Sequence, residues 1–377
     1  MLLARGLVEQ LQKGMQGHNG AVGQYDKGMV TVATPTPANG FDDSILPFRV
    51  VRQPSLWQLV RLLWNADIVH LAGPCFLPLI LGLLLRKPTI VEHHGFQTVC
   101  PNGQLFFEPT QMPCPGHFMA GSHYECLRCN ANQGKLYSLG MWLLTFLRRR
   151  LCHWVSVNVV LTNWLDTILK LPRTTTIYCG VPDNAGSINL QIPGSRLTLA
   201  FMGRLVSLKG VHILLDAAHR LRAGGLDFHI KIIGRGPERA NLESQTKALG
   251  LNDYVTFMGY LTQEELDQAL ADVAVVVMPS LAGETFGLVA AENMMCGRLM
   301  IVSNDGALSE VVGDTRLKFQ PGDSEGLAGC LQMVLENPKL MTELRVEARR
   351  RALQFFRQER MVEDHLSLYG GMLICRD

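Results

Sequence analysis

Between residues 197 and 303 the chain alternates strand and helix without interruption, and few folds accommodate that order. Leu197-Thr-Leu-Ala-Phe-Met202 is a continuous apolar run closed by Gly203, the pattern of a strand buried on both faces. Val211 to Leu221 follows with its apolar residues at helical spacing, and Phe228-His-Ile-Lys-Ile-Ile233 reads as the next strand. Helix 238–249, strand Val255 to Met258, helix 263–270, strand Val273 to Met278, helix 287–296 and strand Leu299 to Ser303 continue the series. Parallel strands can be joined only by a crossover, so this order predicts a doubly wound parallel sheet. Ligands of such sheets gather beyond the carboxyl ends of the strands. The places for chemistry are therefore the loops Gly203-Arg204, Gly234-Arg-Gly-Pro237, Gly259-Tyr260, Pro279 to Gly287 and Asn304-Asp-Gly306.

The amino half carries weaker strands, Ile68 to Leu71, Thr89 to His93 and Val157 to Thr162, again between helix-like stretches. A boundary near 180–196, marked by Pro182, Gly186, Pro193 and Gly194, divides the 377 residues into α/β domains spanning 1–180 and 181–354. A cleft between two such domains is a natural reaction site. The chain opens on a helix, with Leu7, Val8, Leu11 and Met15 at helical spacing, and then a strand, Met29 to Thr34, closed by Pro35. An α/β domain ordinarily opens with a strand, so the amino sheet is expected to lack one. Met1-Leu-Leu-Ala-Arg-Gly6 lacks the charged start, apolar centre and cleavage site of a signal peptide.

Composition narrows the function classes. Apolar residues at 47% and charged residues at 18% exclude a disordered or low-complexity chain. The 35 Lys and Arg against 33 Asp and Glu leave no field to recruit nucleic acid. Ten cysteines are too few for a disulfide scaffold. No apolar run reaches the roughly 18 residues that a membrane-spanning helix needs.

Three constellations could bind a ligand. In Glu284-Thr-Phe-Gly-Leu-Val-Ala-Ala-Glu292, Gly287 opens a helix, so the amides of Phe286, Gly287 and Leu288 are donors at its positive end. Glu284 precedes the helix and Glu292 lies more than a turn inside it, which sets the two carboxylates on different parts of a long ligand. Each can accept hydrogen bonds from vicinal hydroxyls; the bland alternative is a helix-end charge and a solvated glutamate. In Gly203-Arg-Leu-Val-Ser-Leu-Lys209-Gly210, Arg204 leaves a strand end and Lys209 sits at a helix start, where two cations make sense facing a diphosphate and are otherwise surface charges. Gly234-Arg-Gly-Pro237 is a tight turn that brings backbone close to a flat group.

The order Gly203-Arg204…Lys209-Gly210, Gly234-x-Gly-Pro237 and Glu284-x-Phe-Gly…Glu292 resembles the retaining glycosyltransferases of family 4 over roughly residues 197–335. The resemblance implies the GT-B architecture, two facing Rossmann-like domains, with the tail 355–377 a helix returning to the amino domain. It implies that Arg204 and Lys209 hold the donor diphosphate, Glu292 the ribose hydroxyls, and Glu284 with the amides of residues 286–288 the transferred sugar. Backbone around Gly234 and Tyr260 would line the base. Pro88-Thr-Ile-Val-Glu-His-His-Gly95 resembles the family's strand ending in His-Gly; His94 is the better match for a histidine on a sugar hydroxyl, His93 the competing one, and a buried structural histidine the plain alternative. The reaction implied is transfer from a UDP- or GDP-sugar to a glycan or lipid-linked hydroxyl, with retention of configuration and no catalytic metal. Catalysis would rest on Glu284, His94, Arg204 and Lys209. Family members begin with a strand and a Gly-Gly loop, where this sequence begins at about the helix that follows. The rival readings are a nucleotide-binding homologue without turnover and a nucleotide-sugar epimerase.

Cys100, Cys114, Cys126 and Cys129 occupy a long loop, 96–134, and resemble the cysteine-bearing insert of some such enzymes. Cys126-Leu-Arg-Cys129 has metal-ligand spacing, and four thiolates would close a structural zinc site. Disulfides, free thiols, and His117 or His123 as ligands are the alternatives; Cys75, Cys152, Cys179, Cys296, Cys330 and Cys375 read as scattered positions. Leu77 to Leu85, ending in Arg86-Lys87, and Leu136 to Leu147, running into Arg148-Arg-Arg150, are apolar with cationic ends. Both are expected to be core helices, with contact to anionic lipid as the alternative, the second being the better membrane candidate. The expected location is cytoplasmic, with the inner membrane surface as a place of contact.

Overall fold

The computed structural model describes residues 3–8, 30–183, 196–304, 306–313 and 316–374. Leu11, Met15, Met29, Gly186, Pro193, Gly194, Asp305 and Cys375, invoked above, lie outside the described residues.

The carboxyl half is a six-stranded parallel sheet built from β9 (Leu197–Met202), β10 (Phe228–Ile233), β11 (Val255–Gly259), β12 (Val273–Met278), β13 (Leu299–Ser303) and β14 (Lys318–Phe319). Its order is β11-β10-β9-β12-β13-β14. The uniform apolarity of β12 (Val-Ala-Val-Val-Val-Met) has a direct cause: every residue of that strand is buried between helices on the two faces. One face is covered by α7 (Val211–Ala223) and α12 (Ser324–Glu336), which pack Leu214, Leu215, Leu327 and Leu331 onto the strands. The other is covered by α10 (Leu288–Met295) and α13 (Pro338–Phe355). Chain order reverses at β9, whose neighbours are β10 on one side and β12 on the other. That switch opens a crevice at the carboxyl ends of β9 and β12.

The amino half is less regular. A four-stranded parallel sheet, ordered β3-β4-β7-β8, consists of β3 (Val69–Ala72), β4 (Thr89–His93), β7 (Val157–Val160) and β8 (Thr174–Thr176). A separate parallel pair, β1 (Thr31–Thr34) and β2 (Arg49–Arg52), is joined to it by no ladder among the described residues. Helices α2 (Leu56–Asn65), α3 (Phe76–Leu84) and α6 (Asn163–Leu169) pack Leu59, Leu63, Leu79 and Leu165 against Leu71 and Val91. The opposite face meets α1 (3–8) and α14 (Gln358–Ile374), whose Leu7, Met361 and Val362 close over Ile90 and Val159. The chain thus leaves the carboxyl half at the end of α13, bends at Phe356 and lays its final helix on the amino sheet. The Val181 amide holds the bend by donating to Phe356 O at 2.8 Å.

Two expectations need correction. The insert is structured: it folds a hairpin of β5 (Phe106–Phe107) and β6 (Met112–Pro113) and a short helix, α4 (His123–Cys129). The stretch Leu136 to Leu147 is helical, within α5 (Lys135–Cys152), but it is not a core helix. Its buried residues are Ser138, Thr145 and Cys152, whereas Leu136, Leu139, Leu143, Phe146 and Leu147 are exposed, Leu136 by 87%. The small and polar face can turn inward because its hydroxyls find backbone acceptors, Ser138 Oγ on Leu127 O (2.7 Å) and Thr145 Oγ1 on Met141 O (2.9 Å). By contrast α3 does bury Leu79 and Gly82, leaving Leu77 and Leu84 outside. No helix among the described residues is long and apolar enough to cross a membrane.

Candidate functional site

A cavity of about 350 Å³ lies between the two halves at the β9–β12 switch. The carboxyl half supplies Gly203, Lys209, Glu284 and the first residues of α10; the amino half supplies His94, Leu161 and Cys179. These residues come from distant parts of the chain because each follows the carboxyl end of a strand, where parallel sheets leave their backbone groups unpaired and their loops free.

Lys209 stands just before α7, in a turn that ends on Gly210 at φ 66°. A Cβ there would fall 1.9 Å from Pro279 O, so only glycine lets the β9 loop lie against the β12 loop. That contact brings Lys209 Nζ onto Glu284 Oε1 as a partly buried ion pair. Ser280 Oγ donates to the same oxygen at 2.9 Å. Glu284 therefore has one oxygen engaged and its acid group held at the cavity wall. Gly287, at φ 94°, begins α10; a side chain there would strike Leu308 Cδ2. The leading amides of α10 have no helical carbonyl behind them and point to the crevice end.

On the amino side β4 separates two adjacent histidines by strand alternation. His93 is fully buried, with Nε2 2.9 Å from Asn158 Oδ1, and burial lowers its pKa to about 4 despite that contact. His94 is half-exposed and lines the cavity. Its carbonyl accepts from Thr285 Oγ1 (3.3 Å), while Thr162 Oγ1 donates to Thr285 O (3.2 Å), so the Glu284 loop is tied to the amino half at two points. A third tie is Glu310, which accepts from the amides of Asn163 (2.8 Å) and Trp164 (2.7 Å) at the start of α6.

Not every expected residue meets in the cavity wall. His94, Gly203, Lys209, Glu284, Phe286, Gly287 and Leu288 line it; Arg204, Gly234 and Tyr260 lie outside it along the same strand ends, and Glu292 lies outside it on α10. Arg204 is exposed. Arg235, beside Gly234, stacks its guanidinium 5.4 Å from the centre of the exposed Tyr260 ring, a flat edge at the ends of β10 and β11. Glu292 reaches solvent on one side, yet the protein around it desolvates its carboxyl enough to raise its pKa. Sequence reading missed Ser280, Thr162, Thr285 and Glu310. The first and third lie inside the Pro279 to Gly287 loop it had singled out; the other two carry no local signal, since their partners are more than 100 residues away.

The cysteine cluster forms a second small site. Cys100, Cys114, Cys126 and Cys129 surround one void of about 10 Å³, room for about one water-sized species. Asn102 bridges two of them, accepting from Cys100 Sγ (2.8 Å) and donating to Cys129 Sγ (3.2 Å). Of the alternative ligands, His117 borders the void, with Nδ1 3.7 Å from Cys114 Sγ. His123 does not; its ring packs between Phe118 and Trp142. None of the described cysteines is in a disulfide. Burial pushes the Cys100 thiol up to about 11 and that of Cys126 to about 12, with the neighbouring sulfurs adding to the shift. The four thiols border one void, and with Asn102 as an outer hydrogen-bond partner their residue types are those of a closed structural zinc site.

Fold and crevice define a protein of two Rossmann-like α/β domains facing one another, the GT-B arrangement. Residues 187–351 match the family model described as glycosyl transferases group 1. The 2-deoxystreptamine glucosyltransferase of Streptomyces kanamyceticus is 30% identical over 169 residues, 44% of this chain and 41% of its own. A GDP-mannose-dependent α-(1-6)-phosphatidylinositol dimannoside mannosyltransferase of Mycobacterium tuberculosis is 31% identical over 48% of this chain and 45% of its own. The match spans less than half the length of either relative. Anabaena Alr3699/HepE, solved in complex with UDP and glucose, superposes with a TM-score of 0.67 over 90% of this chain and 91% of that one, at 18% identity. At that identity the likeness shows the fold.

Proposed function

We propose that the protein is a glycosyltransferase that moves a sugar from a nucleoside diphosphate sugar to an acceptor hydroxyl with retention of configuration. The observation that carries this reading is the cavity itself. It sets Lys209, Glu284 and the amino end of α10 from one domain opposite His94 from the other. As the bond to the donor breaks, negative charge grows on the departing diphosphate. Lys209, Arg204 and the α10 amides would stabilise it, and in this reading the reaction needs no catalytic metal. Diphosphate binding would draw Lys209 away from Glu284, freeing that carboxylate to accept from hydroxyls of the transferred sugar. His94 would hydrogen-bond the same sugar from the opposite wall. Attack comes from the face the leaving group vacates, with the departing phosphate taking the acceptor proton and no enzyme nucleophile. Glu292 is assigned to the ribose, and backbone at Gly234 with Tyr260 to the base.

The likeness to a GDP-mannose-dependent enzyme and to a UDP-bound fold relative supports a nucleotide-sugar donor without choosing the base. Titration with UDP, GDP and ADP by calorimetry, on the parent and on Arg204→Ala and Glu292→Ala, tests the site. One nucleotide should bind the parent and both variants should weaken it; equal weak heats throughout would remove the assignment. Release of nucleoside diphosphate from a panel of sugar donors then reads turnover. A second reading, nucleotide binding without turnover, is favoured by the lack of any ladder, among the described residues, between the β1–β2 pair and the four-stranded amino sheet; binding with no product from any donor would support it.

We also propose a structural zinc at the four cysteines, and contact of the outer face of α5 with an anionic membrane at the cytoplasmic surface. Leu139, Leu143 and Phe146 are exposed on a helix whose last turns carry Arg148, Arg149 and Arg150, which suits an interfacial helix near a lipid-linked acceptor.

A further inference from the structure

On the face of the amino sheet opposite His93, three side chains converge that the transfer reaction does not use. His70 on β3 and Glu92 on β4 project from neighbouring parallel strands, and α14 lays His365 over them. One nitrogen from each imidazole and one carboxylate oxygen lie within 4.8 Å of one another. His70 Nε2 is 3.0 Å from Glu92 Oε2, and His365 Nε2 is 3.8 Å from the same oxygen. His365 is fully buried and Glu92 nearly so. Neither Nε2 has a hydrogen-bond partner among the described residues, the first being misaligned with the carboxylate and the second too far from it.

The other nitrogen of each ring is engaged. His365 Nδ1 donates to Met361 O, one helical turn back, at 2.8 Å. His70 Nδ1 is 2.5 Å from the hydroxyl of Tyr369, one turn further along α14. The Met361 carbonyl fixes the His365 proton on Nδ1 and leaves its Nε2 lone pair facing the cluster centre, and the Tyr369 hydroxyl is able to accept an Nδ1 proton from His70 in the same way. Histidines that bind metals are oriented in this way, with an outer acceptor setting the tautomer. Met361, His365 and Tyr369 recur at every fourth position, so the α14 face that packs on the sheet also carries one ligand and both outer partners.

We propose that His70, Glu92 and His365 form a site for a divalent transition ion of the zinc type. Two imidazoles and one carboxylate are a donor set for such ions, with water completing four-coordination. The ion would pin the returning helix α14 to the amino sheet. It would also act one residue from the cavity, because the second oxygen of Glu92 faces His94 Nε2 at 3.7 Å. The site is independent of the donor assignment and of the cysteine cluster.

The test uses the full chain carrying Cys126→Ser and Cys129→Ser, stripped with a chelator and titrated with zinc chloride and cobalt(II) chloride. One equivalent should bind and raise the melting temperature. The cobalt form should show visible d–d bands without thiolate charge transfer. Tyr369→Phe, which removes an outer partner, should weaken binding about 10–100-fold, and His365→Gln by more than that. Far-UV circular dichroism verifies that each variant is folded. Should the cysteine variant not fold, the unaltered chain gives the same answer, since His365→Gln must bind one equivalent fewer than the parent. Equal stoichiometry in parent and His365→Gln, or no binding once the cysteines are replaced, overturns the proposal and leaves an ion-paired histidine cluster.

Discussion

The two halves of this molecule share a topology class but not a construction. The carboxyl half encloses one continuous six-stranded sheet, with β9 and β12 buried almost end to end. The described strands of the amino half fall into three separate sheets, and that half borrows α14 from the end of the chain to cover one face. It also carries the cysteine insert and an outward-facing apolar helix. A half that completes its own core can hold a rigid binding surface, whereas one completed by a distant helix is coupled to whatever moves that helix. The cavity sits where the two meet, so its rigid side carries the charged groups and its other side contributes His94.

All five tryptophans, Trp57, Trp64, Trp142, Trp154 and Trp164, belong to the amino half, and all but Trp164, which lies against Gly306 and Glu310 of the carboxyl half, report that half alone. In urea their transition should precede the far-UV circular dichroism transition; coincident curves would mean the halves unfold as one unit. The largest single effect is expected for Glu284→Gln. It should lower nucleoside diphosphate release about 1000-fold, roughly 4 kcal/mol, while leaving both transitions in place. An unchanged rate would move the chemistry out of the carboxyl half. Leu199→Ala, in the middle of β9, should destabilise the carboxyl transition by about 3 kcal/mol through a cavity that cannot close, with the tryptophan signal little changed.

His93→Ala and His94→Ala sharpen the contrast within one strand. The first removes a buried side chain in contact with Asn158 and should cost the amino half about 1–2 kcal/mol. The second should leave the tryptophan transition where it is and slow turnover; the reverse pattern would exchange their roles. The smallest stability effect is expected for Leu139→Ser with Leu143→Ser on α5, within about 0.5 kcal/mol, because these side chains already face solvent. Co-sedimentation with vesicles containing anionic lipid should nevertheless fall, and undiminished binding would remove α5 as the membrane face.

Legibility followed the same division. Strands β9 to β13 could be read within a residue or so: β9, β12 and β13 are almost continuously apolar because both faces are buried, and β10 and β11 interrupt the apolar run only with single polar residues. The short β2, β8 and β14 went unread: two to four residues at a sheet margin carry too little pattern to rise above a loop. The α5 stretch was read as helix correctly and as core wrongly, since periodicity shows that an apolar face exists but not whether anything covers it. The Glu284 loop and Lys209 stood out through their spacing around glycines. Ser280, Thr162 and Glu310 did not, because a hydroxyl or carboxylate gains meaning only from its partner.

Sequence alone determined the order of strands and helices in the carboxyl half, the loops where ligands must gather, and the residue types able to face a diphosphate. These follow from local rules: apolar period, glycine at forced turns, charge at strand ends. Tertiary structure decided which of two adjacent histidines enters the cavity and that Lys209 rests on Glu284. It also decided that His365 comes to lie over His70 and Glu92. Each of these depends on packing between segments 65 or more residues apart, and no local pattern encodes an encounter at that range.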